Sequence, residues 1–184
     1  MKYLFNSIHE FISPEIIYTT SLTLKEDNSN VLSAIQSSVA SILDVIIEKR
    51  KDKKLEYIIK HMGEFNILLN ATKIYNTTFT EQNLNSNFFN YLLNNKKDLF
   101  INIIAKSSNI SENSSRDIIY KTSVLISGFL GEKLISGIQF SRLLNQLEEE
   151  RKDFSLYIPL EMIKITENNV FKPYLLYKSW LSMI

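Results

Sequence analysis

The sequence predicts an all-α protein: a compact multi-helix bundle, built in part by internal duplication of a two-helix unit, with an irregular C-terminal extension. Three observations carry this. Apolar residues recur at helical spacing almost throughout the 184 residues. Four glycines and three prolines are too few for the tight turns of a β-sandwich. Three of those glycines, Gly128, Gly131 and Gly137, fall within ten residues and close a long apolar helical pattern.

Taken in order, Tyr3, Leu4, Ile8, Phe11 and Ile12 predict a short first helix. Ser13-Pro14-Glu15 reads as the start of the next. Serine caps the free N–H groups, proline suits the first helical position, and an acid sits against the positive end of the dipole. The polar run from Lys25 to Asn30 is a connection. Val31, Leu32, Ile35, Val39, Ile42, Leu43 and Ile46 then form one continuous stripe, and that helix ends in Glu48-Lys49-Arg50-Lys51-Asp52-Lys53-Lys54. Leu55, Ile58, Ile59 and Met62 give a further amphipathic stretch stopped by Gly63, read as a C-cap.

Short helices are expected at Ile67-Leu68-Leu69 and at Phe88 to Leu93, separated by loop or extended chain over Asn76 to Thr80. Asn94-Asn95 marks a break. Leu99, Phe100, Ile103 and Ile104 define another helix. Ser111 caps the one after it, whose buried face holds Ile118, Ile119, Leu125, Ile126, Phe129 and Leu130. Ser136 is the expected cap of the following helix, which carries Phe140, Leu143, Leu144 and Leu147 and ends in Glu148-Glu149-Glu150-Arg151-Lys152 as a solvated terminus. Beyond it, Ile163 to Thr166 and Val170-Phe171 flank Glu167-Asn168-Asn169 as a small hairpin, and a last amphipathic helix starts at Pro173. The organisation is therefore a helical domain over 1–153 and a C-terminal extension over 154–184.

Ser38 to Asp44 aligns with Leu125 to Gly131, and Ile16-Ile17 with Ile103-Ile104, so residues 1–62 and 96–147 read as two halves of a duplication. Chance alignment of two amphipathic helices explains the match about as well.

On these residues the chain resembles a known family. Ala34 to Ile46 follows the small-residue helix, and Ser107 to Ser115 with the helix running into Gly128-Phe129-Leu130-Gly131-Glu132-Lys133 follows the second signature, of the bacterial YidB-like family of unknown function. In Bacteroidetes that domain is often fused to an OmpA-type outer-membrane domain. The resemblance spans roughly residues 1–147. It implies a mostly helical fold with a helix-turn-helix-like element, and it brings no catalytic residues. Ala40 and Val124 stand where the pattern has prolines, and Val45 where it has glycine, which should straighten the helices.

Composition narrows function. The net charge of +1 gives no global field towards nucleic acid or anionic lipid. Without cysteine there are no disulfides, thiolate metal sites or thiol nucleophiles. No apolar run is expected to span a bilayer, the N-terminus makes a poor signal peptide, and the expected location is cytoplasmic. The glycine cluster lacks Walker spacing, with Leu134 where a hydroxyl would meet magnesium, so close helix approach or a helix end explains it better. His61 and Glu64 share a face but have no further ligand nearby, and the Glu148-Glu149-Glu150 run lacks EF-hand spacing. Lys49 to Lys54, the one basic cluster, is broken by Asp52 and has no aromatic residue interleaved in sequence.

No metal, cofactor or catalytic set is therefore expected. The expected function is a non-catalytic helical module for protein interaction or assembly, acting on a protein partner or on itself. A helix-turn-helix-like nucleic-acid binder is the alternative. The expected partner-binding residues are Tyr174, Tyr177, Trp180 and Leu181 on the terminal helix.

Overall fold

The computed structural model describes residues 3–76 and 84–162. They form α1 (Leu4–His9), α2 (Pro14–Leu24), α3 (Asn28–Glu48), α4 (Lys53–Gly63), α5 (Ala71–Asn76), α6 (Leu84–Leu93), α7 (Lys97–Ser108), α8 (Glu112–Ile135) and α9 (Phe140–Phe154). Short 3-10 turns lie at Ile67–Asn70, Asn94–Lys96 and Ser155–Tyr157, and no strand occurs among the described residues. The chain is an all-α multi-helix bundle. The expected hairpin around Glu167 and the helix from Pro173 lie outside the described residues, as does most of the Asn76 to Thr80 loop.

Two long helices form the centre. α8 is 24 residues long and is surrounded by α3, α4, α6 and α7. It is buried on nearly every side, including Ser123, Ser127 and Gly128. A helix buried all round has little need of a polar face. α3 lies against it and hides Val31, Ile35, Val39, Ile42 and Ile46 together with Ser38 and Ser41. α3 is long and apolar enough to cross a membrane, contrary to the expectation that no apolar run is; its mostly buried place in the bundle accounts for that composition. One core cluster runs from Leu4 to Met162, and Phe154, Ile158 and Met162 belong to it.

The glycines explain how α4 reaches α8. A Cβ added at Gly63 would lie 2.3 Å from the carbonyl carbon of Gly131, and one added at Gly131 would lie 2.3 Å from the carbonyl oxygen of Ile59. Backbone therefore rests on backbone at this crossing. The pattern does not end at Gly128–Gly131 but continues to Ile135, and Gly63 is the last helical residue with Glu64 as C-cap. Close approach, rather than capping, is the work of these glycines.

Gly137 is the helix-ending one. At φ +94° it lets the Gly137 N–H donate to Leu134 O (3.1 Å) and the Ile138 N–H donate to Lys133 O (3.1 Å). This is a Schellman closure, with Ile138 partly buried beside the core. It corrects the reading of Ser136, which is the C-cap of α8; α9 starts after Gln139. Ser13 and Ser111 do cap α2 and α8, accepting from the N–H groups of Ile16 and Ser114. Lys25 and Asn109, both left-handed, end α2 and α7.

The acidic run on α9 is also corrected. Glu150 is buried and accepts from the backbone N–H groups of Leu4 and Phe5, each at 2.8 Å. Its two oxygens cap the N-terminus of α1, a charge-assisted bond at the positive end of that helix. Arg151 is buried too, among Asp44, Glu48 and Glu148. Only Glu148 and Glu149 of the run face solvent.

At the other end of α1, His9 packs edge-on to Phe5 with ring centroids 4.5 Å apart. Its Nε2 is buried without a hydrogen-bond partner among the described residues. Burial lowers the imidazole below its ordinary 6.5. The unfolded chain then binds a proton that the native state refuses, so stability falls as pH drops through about 6.5 towards the lower native value. The urea midpoint should be lower at pH 5.5 than at pH 7.5, and the difference should shrink in His9→Phe. Glu26 and Asp52 are carboxyls held below their ordinary values, so they titrate beneath this window. An unchanged difference in His9→Phe would remove His9 as its source.

Candidate functional site

α4 has an outer face that the core does not account for. Asp52 starts it, accepting from the N–H groups of Lys54 (3.0 Å) and Leu55 (3.2 Å). Leu55, Ile59 and Met62 then turn inward at helical spacing, and Gly63 presses on α8. This fixes what points outward. Tyr57 and His61 follow one another at a four-residue step on the opposite side, and Phe65 comes just past the Glu64 C-cap.

These three form a continuous row. Tyr57 and His61 are stacked, with centroids 6.4 Å apart and rings 7° from parallel. His61 meets Phe65 edge-on at 5.2 Å. Tyr57 is 72% exposed and Phe65 47% exposed, large values for aromatic rings. Leu69, in the 3-10 turn beyond the left-handed Asn66, is 83% exposed. His61 Nδ1 lies 2.8 Å from Glu64 Oε2, so the expected pairing of His61 with Glu64 on one face is present and exposed. No group of three metal-ligating side chains occurs among the described residues.

The basic cluster sits at the start of the same helix, on the corner joining α3 to α4. In space it does hold an aromatic ring: Tyr91 of α6. Lys49 and Lys54 lie over that ring, with Nζ 5.4 and 4.9 Å from its centroid. The Tyr91 hydroxyl donates to the Asp52 carboxylate at 2.7 Å. Burial alone would raise the Asp52 carboxyl. The bonds from Tyr91, Leu55 and Lys54, with Lys49 nearby, outweigh it and hold the group below its usual range. Tyr91 moves the other way, raised first by burial and then by the Asp52 carboxylate.

Two open hollows of about 530 and 700 Å³ flank the corner, sharing Arg50, Lys51 and Asp52. Gln139 and Phe140 help to wall the first, Glu148 and Arg151 the second. Arg50 is paired with Glu148 at 2.8 Å.

A second polar group lies inside the bundle and was not legible from the sequence. Lys121, in the middle of α8, is 2% exposed. Its Nζ is 2.6 Å from Asp117 Oδ2 and donates to Tyr75 O at 2.9 Å. Tyr75 Oη and Thr122 Oγ1 are 2.9 Å apart beside it. Burial pushes the Tyr75 phenol well above its ordinary value. The lysine holds the end of α5 to α8, where a cation meets the negative end of a helix dipole.

The four residues expected to bind a partner, Tyr174, Tyr177, Trp180 and Leu181, lie outside the described residues. The α4 row, by contrast, was missed although its signal is plain in the sequence. Aromatic residues at 57, 61 and 65 run opposite the apolar stripe of Leu55, Ile59 and Met62. Comparison with protein families, curated proteins and solved structures finds no match to this chain.

Proposed function

We propose that the protein is a non-catalytic helical module for protein interaction or assembly in a bacterial complex, working within the cytoplasm. The observation that carries this reading is the exposed Tyr57–His61–Phe65 row along α4 and its C-terminal end. Exposed rings fixed on a rigid helix lose little freedom when covered, and aromatic anchors dominate the energetics of protein interfaces. α4 itself is packed backbone to backbone on α8 at Gly63 and Gly131. A duplication of the α2–α3 and α7–α8 pairs belongs to the same reading: each pair turns through a left-handed residue, Lys25 or Asn109, into a long central helix. The bacterial setting rests on the resemblance of Ala34 to Ile46 and of Ser107 to Lys133 to the YidB-like pattern.

The test is affinity co-purification of the full chain from its native host, beside Tyr57→Ala, followed by rebinding of the recovered protein in pure form. Tyr57→Ala should fold normally, since the side chain is largely in solvent, and should weaken rebinding about tenfold or more. A partner held equally by both chains, or a wild-type chain that holds no protein, would count against the reading.

A further inference from the structure

We propose that the α4 row receives an amphipathic helix of a partner protein, acidic at one end and apolar along the rest. This rests on the interaction reading above and names the chemistry of the partner. The row is chemically polarised along its length. Around Tyr57 the residues one turn away are Lys53, Lys54, Lys60 and His61, with Lys51 just beyond the helix start and Arg50 already paired with Glu148. Lys53, Lys54 and Lys60 are exposed. Of the acids on the helix, Asp52 is committed to the α4 cap and to Tyr91, and Glu64 to His61. Glu56 alone remains beside Tyr57. This end is therefore positive. The other end, at Phe65, is apolar.

That polarity fits a helix whose first turn carries Asp or Glu and whose apolar residues follow at i, i+4 and i+7. Acids are favoured in the first turn of any helix, so such a partner meets the lysines with no cost to its own stability. Its apolar anchors would cover His61 and Phe65, a stretch of about one helical turn. A second copy of this chain fits badly, because rows packed face to face about a two-fold axis run antiparallel and set each lysine end against an apolar end that offers no counter-charge. A nucleic-acid strand fits less well than a helix, because its phosphates need cations along the whole track, and no lysine or arginine lies between Lys60 and Lys73 in the sequence.

The experiment uses the full-length protein and three labelled probes in anisotropy titrations. Two are synthetic helical peptides with one apolar stripe, differing in a glutamate or a lysine first turn. The third is a single-stranded oligo-dT. The acidic peptide should bind about tenfold or more tightly than its lysine counterpart. That preference should weaken with added salt, disappear in Lys53→Glu/Lys60→Glu, and binding should be lost in Tyr57→Ala. Equal binding of the two peptides, tightest binding of oligo-dT, or no binding of any probe would overturn the inference. Native-host recovery of a partner that depends on Tyr57, found together with any of those results, would leave the interaction reading standing and this one refuted.

Discussion

Gly131→Ala is expected to be the most damaging single methyl that can be added to this protein. The new Cβ would stand 2.3 Å from Ile59 O, 2.4 Å from Gly63 N and 2.7 Å from Gly63 Cα. All three are backbone atoms, so no side chain can swing aside. Relief requires α4 to move off α8, and that separates Leu55, Ile59 and Met62 from the core they fill. Overpacking typically costs about 1–3 kcal/mol, and a clash with rigid backbone belongs at or beyond the top of that range. Gly63→Ala should do the same from the other side, with its Cβ 2.3 Å from Gly131 C. Gly137→Ala is the control. Nothing lies within 4 Å of its Cβ, and only the +94° φ is at stake, about 1 kcal/mol. Urea unfolding followed by circular dichroism should rank Gly131→Ala and Gly63→Ala far below Gly137→Ala. A Gly131→Ala protein as stable as Gly137→Ala would mean that the two helices do not cross on their backbones.

What was legible in the sequence, and what was not, divides by distance along the chain. Ser13 and Ser111 were readable as caps because the bond runs from the side chain to an N–H three residues away. The stripes of α3 and α4 were readable because period alone places them. Ser136 was misread because two signals competed, and the left-handed glycine beside it closes α8 before a new cap can form. The charged end of α9 was misread for a different reason. Arg151 reaches Asp44 and Glu150 reaches Leu4 across more than 100 residues of sequence, and nothing local announces either contact. A run of acids followed by bases looks like a solvated helix end unless its partners are known. Lys121 was hidden likewise, since its acceptor Tyr75 O sits on α5. The outer face of α4 was different again. Its aromatic spacing is present in the sequence, but the apolar stripe accounts for the helix by itself, and exposed rings count as a surface only once the inner face is assigned.

Arg151→Met is expected to show how much of the α9–α3 contact is electrostatic. Arg151 Nε donates to Asp44 Oδ1 at 2.7 Å, and its Nη2 lies 2.5 Å from Glu48 Oε1. Arg151 and Asp44 are 6% and 2% exposed. Methionine fills similar volume but leaves the Asp44 carboxylate buried without its main counter-charge. Breaking a buried pair in this way costs about 3–5 kcal/mol. Glu48 and Glu148 contribute less to the loss, because their side chains are 29% and 43% exposed and can turn to water. The damage therefore falls mainly on Asp44, and a double-mutant cycle tests this. Asp44→Asn added to Arg151→Met should restore much of the stability, since a neutral amide removes the stranded charge. Arg151→Lys should fall between wild type and Arg151→Met: it keeps the charge but loses the planar fork that reaches Asp44 and Glu148 together. If Asp44→Asn and Arg151→Met were simply additive in urea unfolding, the pair would not be coupled, and apolar packing of Phe154 and Leu147 would have to hold α9 on the bundle by itself.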